Sequence, residues 1–172
     1  VDQNITYPNW TGETLGNLVL AVEPNLWSGG FELRELSIDD LPPANYVLDG
    51  QKLEVALPRP LPPSGILSIH MTYVLVLPQM QAYINPEDVR PQIYGYSERQ
   101  TNLVDWYPFV LPYAPGQGWL LYDPWYYGEH LMYDIADFDV TVTFTDGANP
   151  KIASSGAEIV SNAEATPEGV VR

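Results

Sequence analysis

Period-two alternation and short apolar runs recur along this chain between clusters of proline and glycine, and helical spacing is nearly absent. That pattern predicts strands. "NLVLAVE" (17–23) and "FELRELSI" (31–38) are separated by "PNLWSGG", whose proline and glycines end one strand and start another. In "YVLDGQKLEVAL" the pair Asp49-Gly50 stands between two β runs, which predicts a hairpin with a type I′ turn, because both central positions of that turn need positive φ. "PRPLPPSG" (58–65) reads as a stiff connection, and "ILSIHMTYVLVL" (66–77), the longest alternating run, as a central strand. "PQMQAYINPEDVRPQ" then reads as an irregular loop before the aromatic-rich stretch "IYGYSERQTNLVDWYPFVLPYAPGQGWLLYDPWYYGEH". "DFDVTVTF" sets Phe138, Val140, Val142 and Phe144 on one face, expected to meet the core, and Asp139, Thr141 and Thr143 on the other. From 146 to 172 the chain turns to Gly, Ala and Ser, with "KIASSGAEIV" as a weak further strand. The expected fold is all-β: an antiparallel, sandwich-like or saddle-like domain with long aromatic-rich loops.

Length and charge narrow the function classes. At 172 residues the chain is long enough for one full domain, residues 1–172, and too short for a second. Twenty-two acidic against seven basic residues give a formal charge of −15, which excludes a phosphate-backbone binder, since affinity for nucleic acid comes mainly from Lys and Arg. No apolar run approaches the roughly 20 residues that span a bilayer, so no membrane insertion is expected of this segment. Without cysteine there are no disulfides, thiolate metal sites or cysteine nucleophiles. The chain starts without methionine and stops on the β-prone "GVVR", so it reads as a piece of a longer protein. Sequons stand at Asn4 ("NIT") and Asn9 ("NWT"); they matter only in a glycosylating secretory pathway.

Candidate chemistry is sparse. The two histidines, His70 and His130, are sixty positions apart, and neither "IHMT" nor "GEHL" extends to H-E-x-x-H or H-x-x-E-H, the spacing that aims two imidazoles at one zinc. His70 falls on the strand face opposite Leu67, Ile69, Met71 and Tyr73, as a structural or surface histidine does. Asp134, Asp137 and Asp139 lack the glycine and the curled D-x-[DN]-x-[DN]-G backbone of a calcium loop. Ser97 has no G-x-S-x-G setting, and Gly116, Gly118 and Gly128 form no phosphate-binding loop. No metal site is expected in the chain. The aromatics between Trp106 and Tyr127 serve either to stack a ligand such as a sugar or to fill a core or an interface.

The order of the segments carries a resemblance. "LVLAVEPN", "FELRELSIDD", "VLDGQKLEVALPRPLPPSGILSIHMTYVLVLP", "YGYSERQTNLVDWYPFVLPY", "GQGWLLYDPWYYGEH" and "YDIADFDVTVTF" resemble the N-terminal β-domain of the aminopeptidase N-like gluzincin zinc metallopeptidases, over about residues 5–155. The most specific parts are "WYPF", similar to the family's W-[FY]-P stretch, and "ADFDVTVTF", similar to its A-x-[FY]-x-V-x-[IV] strand. The resemblance implies a non-catalytic domain packing on a catalytic domain of the same chain and helping to form the substrate cleft. Zinc, the base of H-E-x-x-H that assists a zinc-activated water, and the G-x-M-E-N motif would all belong to that other domain. The resemblance also implies one polar or acidic residue, before the W-[FY]-P stretch, that helps bind the peptide substrate's free amino terminus. Glu98 and Gln100 in "SERQ" stand closest to that place, although the spacing departs from the family's Q-x-E pattern. The other reading of Glu98 is pairing with Arg99 or facing water. A parent at the cell surface or otherwise outside the cytoplasm fits this family. Two further readings stay open: a free-standing β-sandwich adhesion or carbohydrate-binding module, and a family member whose catalytic domain has lost its ligands.

Overall fold

The computed structural model describes residues 1–80, 94–122, 133–144, 152–154, 164–166 and 169–171. Its described residues fall into two units, Val1–Asp134 and Ile135–Arg172. The first unit is built on two antiparallel sheets. One has β6 (Ile66–Leu75) between β1 (Asp2–Pro8) and β3 (Phe31–Ile38); the other has the order β4 (Asn45–Asp49), β5 (Lys52–Leu61), β2 (Leu15–Ala21), β9 (Phe109–Val110). A 3-10 turn, Glu23–Leu26, follows β2. Four short strands complete the unit: β7 (Gly95–Tyr96) with β8 (Thr101–Asn102), and β10 (Tyr113–Ala114) with β11 (Gly118–Trp119).

The core lies where alternation predicts it. Leu67, Ile69, Met71 and Tyr73 of β6 are all buried and meet Leu53, Val55 and Leu57 of β5 and Leu18 and Leu20 of β2 in one cluster. Each strand gives one face to this layer, so the two sheets stack as a sandwich. β2 is buried on its other face as well. Val19 and Ala21 pack with Phe109 and Leu111 of the adjoining edge segment in a second cluster, against which Tyr107, Trp119 and Leu121 are packed.

The strand at 17–23 begins two residues earlier than the sequence suggests and gives way to the 3-10 turn at Glu23. The Asp49-Gly50 turn moves by one residue. Asp49 pairs with Lys52, so the loop is Gly50-Gln51, and positive φ occurs only at Gly50 (53°), the sign pattern of a II′ turn. The type I′ pattern appears elsewhere without glycine. Asp39 and Asp40 both have positive φ (49° and 63°) between Ile38 and Leu41, whose backbones bond to each other in both directions.

The stretch from 58 also departs from expectation, because β5 continues through Leu61. β4 pairs with β5 only as far as Ala56, and on the β2 side the register jumps from Ala56 to Leu61. Residues 57–60 therefore have no ladder partner, and Pro58 and Pro60 cost no hydrogen bond there. β1 carries no sequence signal of its own, yet it pairs with β6 over its whole length.

In the second unit β12 (Thr143–Phe144), β14 (Gly169–Val171) and β13 (Glu164–Thr166) form a small antiparallel sheet in that order. The strand expected over 138–144 is thus only two residues long. Phe138, Val140 and Val142, expected in the core, are 62%, 55% and 37% exposed. No ladder forms along 138–142, and without a neighbouring strand alternation has no face to bury. Of "KIASSGAEIV", Ile152–Ser154 form no strand and the rest lies outside the described residues.

Candidate functional site

The short β7–β8 hairpin carries both residues singled out in "SERQ". Its base is fixed by Tyr94, buried with its ring 4.9 Å from that of Trp27, and by Tyr96, which exchanges backbone bonds with Pro78 and Met80. At the tip the Ser97 N–H donates to the Gln100 carbonyl (2.8 Å), and the Ser97 hydroxyl oxygen accepts from the N–H groups of Arg99 (3.3 Å) and Gln100 (3.2 Å). Serine does here what it does in many turns, offering the backbone a local partner. Glu98 and Gln100 are both exposed on this tip, and Glu98 forms no ion pair with Arg99 among the described residues.

A few residues further, the W-Y-P-F segment is built into the fold. Gln3 bridges it to the core: the Tyr73 hydroxyl donates to Gln3 Oε1 (2.9 Å), and Gln3 Nε2 donates to the Pro108 carbonyl (2.8 Å). Trp106 and Tyr107 meet edge to face at 5.5 Å, and Phe109 lies 4.3 Å from the ring of Tyr133, whose hydroxyl donates to the Asp105 carboxylate. Burial, and then that carboxylate, push the Tyr133 phenol far above its ordinary range. Trp119 packs against Tyr113 (5.1 Å) and Tyr7 (6.4 Å). The Tyr113 hydroxyl donates to Glu13, which raises its pKa. Burial, with Asp134 nearby, pushes Tyr7 up to about 12. Of the two uses expected for the aromatics between Trp106 and Tyr127, packing describes those in view: Trp106, Tyr107, Tyr113 and Trp119 are half-buried and Phe109 is buried, while Tyr122 is 47% exposed. Trp125 to Tyr127 lie outside the described residues.

Metal chemistry finds no support in the described side chains. No three His, Asp or Glu among them come together as a metal would need. Among the described residues His70 has an acidic partner in Asp2, at 3.5 Å, and Asp137 and Asp139 are exposed. These residues do not fit a zinc ion; Glu129 and His130 lie outside the described residues.

Three polar residues that the sequence did not single out for their structure are buried. Asn9, read as a sequon, is fully buried, and its Nδ2 donates to the carbonyls of Glu13 (2.8 Å), Leu61 (3.1 Å) and Pro62 (3.0 Å). An amide so engaged has no room for a glycan; the Asn4 side chain, by contrast, is exposed. Gln51 donates to the Tyr122 carbonyl (2.8 Å). Glu23, 3% exposed, sits in the 3-10 turn and adds to the negative field at Tyr133. The burial of Asn9 and Gln51 rests on contacts far apart in sequence, with Leu61 and Tyr122, which no local pattern marks.

No family model matches this chain. No curated protein sequence matches it either. Four solved structures do. An M1 zinc metallopeptidase from Deinococcus radiodurans is 22% identical, with a TM-score of 0.40 over 56% of this chain and 19% of that one. A two-domain M1 zinc metallopeptidase mutant bound to L-arginine is 23% identical, with a TM-score of 0.40 and the same coverage. A third, bound to L-tryptophan, is 23% identical with a TM-score of 0.37, over 47% of this chain and 17% of that one. The chain thus spans about a fifth of the length of the structures to which it is similar.

Proposed function

We propose that this chain is a non-catalytic β-domain of a zinc metallopeptidase of aminopeptidase type, packing on a catalytic domain of the same protein and forming one wall of its substrate cleft. What supports the reading is the ordered series of segments that resembles that family's N-terminal domain, with "YGYSERQTNLVDWYPFVLPY" as its centre. In this reading the exposed Glu98 on its serine-braced turn helps hold the ammonium group of a peptide's free amino terminus, with Gln100 beside it. A fixed carboxylate suits that task, because opposite charge separates an amino-terminal residue from an internal, uncharged one.

Three measurements test this. The gene's continuation beyond Arg172 should encode H-E-x-x-H with a further glutamate downstream; its absence would favour a free-standing adhesion or carbohydrate-binding module. In the full-length protein, Glu98→Ala should raise KM about tenfold or more for substrates with a free amine and leave blocked substrates nearly unchanged. Equal effects on both would remove Glu98 from the cleft while leaving the domain assignment standing. The 172-residue chain alone should hold no stoichiometric zinc and cleave no aminoacyl substrate.

A further inference from the structure

The β7–β8 hairpin is too short to hold its own tip. Its ladder has two residue pairs, Gly95 with Asn102 and Tyr96 with Thr101, and a two-stranded ladder of that length has little stability alone. The base is secured from outside, by Tyr94 against Trp27 and by the Tyr96 backbone, which bonds to Pro78 and Met80. None of these contacts reaches the residues from Ser97 to Gln100 that join the two strands.

Ser97 closes that tip. Its N–H and its hydroxyl both donate to the Gln100 carbonyl (2.8 and 3.2 Å), and its Oγ accepts from the N–H groups of Arg99 (3.3 Å) and Gln100 (3.2 Å). Four bonds from one residue thus cross to the two residues that follow Glu98, so the Glu98 backbone is enclosed between Ser97 and the amides that Ser97 holds. Ser97 is half-buried, while Glu98, Arg99 and Gln100 are exposed. An exposed amide can bond to water instead, but water fixes no backbone angle; a serine oxygen two or three positions back does. The consequence falls on the carboxylate in the middle of the turn, whose backbone is set before any ligand arrives.

We propose that Ser97 is the positioning residue for Glu98, a role that rests on the reading of Glu98 as the group that holds a peptide's amino terminus. By closing the turn, Ser97 sets the carboxylate for the ammonium group; without it the same carboxylate must be ordered at the moment of binding. Ordering a loose segment on binding weakens affinity by about three- to tenfold, and only for ligands that use the carboxylate. Alanine cannot replace serine here, whereas threonine keeps the Oγ that makes three of the four bonds.

Competitive inhibition of the full-length protein tests it, with alanine p-nitroanilide as substrate and with leucinamide and its desamino counterpart, 4-methylpentanamide, as probes. Ser97→Ala should raise Ki for leucinamide about three- to tenfold and leave that for 4-methylpentanamide unchanged, and Ser97→Thr should restore the original value. Glu98→Ala should weaken leucinamide at least as much. Adding Ser97→Ala to it should then cost nothing more, because a positioning residue acts only through the group it positions. In the 172-residue chain, NMR-detected hydrogen exchange at the Arg99 and Gln100 amides should quicken in Ser97→Ala, with the urea midpoint nearly unchanged. The role of Ser97 is overturned by a leucinamide Ki that Glu98→Ala raises and Ser97→Ala does not, by equal losses on both inhibitors, by a loss that adds fully to that of Glu98→Ala, or by unchanged exchange at the two amides. A leucinamide Ki unmoved by Glu98→Ala removes instead the reading of Glu98 itself, and the role of Ser97 with it.

Discussion

Replacing Asn9 should damage this fold more than any sequon reading suggests. The side chain is fully buried and joins two chain segments: its Nδ2 holds the carbonyls of Glu13, Leu61 and Pro62, and its Oδ1 accepts from the Thr11 N–H (3.1 Å) and hydroxyl (2.6 Å). Asn9→Ala removes all five contacts. Two of the three carbonyls have another donor in that variant, Pro62 in the Gly65 N–H (2.9 Å) and Glu13 in the Thr11 hydroxyl (3.3 Å) once it is released from Oδ1, which limits the loss. The two N–H hydrogens are shared among three carbonyls, so at about 0.5 to 1.5 kcal/mol net per bond the expected cost is about 1 to 3 kcal/mol, a sizeable share of the roughly 5 to 15 kcal/mol typical of a domain. Asn9→Asp sharpens the test, because it keeps the shape and the acceptor while turning the donor into an anion aimed at three carbonyl oxygens. Such a carboxyl is favoured neutral in the fold, so its folded pKa lies above the unfolded value of about 3.9. The sign follows: the aspartate variant is least destabilised below about pH 4 and loses stability as pH rises through its folded pKa. Urea unfolding followed by far-UV circular dichroism at pH 4 and pH 7 measures both effects. A loss under about 1 kcal/mol in Asn9→Ala, or an aspartate variant whose deficit is the same at both pH values, would refute the argument.

Other outcomes follow from the same geometry. Gly30→Ala should be strongly destabilising, since an added Cβ would lie 2.6 Å from the Pro24 carbonyl oxygen, whereas Gly50→Ala meets open space and should cost only about 1 kcal/mol for its φ of 53°; the two midpoints in urea give the comparison. Burial pushes Tyr7 and Tyr94 up to about 12 in the folded chain. Their contribution is present below the unfolded value of about 10 and is lost as pH rises from there through about 12, so unfolding midpoints should fall over that window, while 295 nm absorbance shows delayed phenolate formation. Tyr73→Phe should cost about 1 kcal/mol by removing the bond to Gln3, and should be non-additive with Gln3→Ala; strict additivity in a double-mutant cycle would break the proposed bridge from the core to Pro108.

Strands that bury one face were legible because alternation and burial are the same fact seen twice. β3 and β6 begin at Phe31 and Ile66 as the pattern predicts, and Leu67, Ile69, Met71 and Tyr73 are the buried side of the latter. β1 was not legible. It is an edge strand made mostly of polar residues, and only its partner β6 makes it a strand. Glycine-led turn reading erred in both directions: a Gly50-Gln51 loop displaced the expected Asp49-Gly50, while Asp39-Asp40 took positive φ without any glycine. The aspartates manage this because their short polar side chains tolerate the left-handed region, and Asp39 gains a bond to Ser68 there.

The region opened by "EHLMYDIADFDVTVTF" shows why alternation alone is an incomplete signal. Its spacing marks two faces on 138–144 as clearly as that of β6 does, yet β6 has a strand on each side and 138–142 have none, so Phe138, Val140 and Val142 remain exposed. A strand is a relation between segments, and one segment supplies only half of it. The candidate site follows the same rule. "SERQ" could be picked out as a corner, but that Ser97 would lock the tip, and that Glu98 would be left unpaired by its neighbour Arg99, depended on how the turn closed. The tie from Tyr133 to Asp105 joins positions 28 apart, and the Asn9 contact with Leu61 joins positions 52 apart. Such contacts exist only once the sheets have set the register, which is why the residues that fix the W-Y-P-F segment and the loop after β1 were invisible as chemistry in the linear sequence.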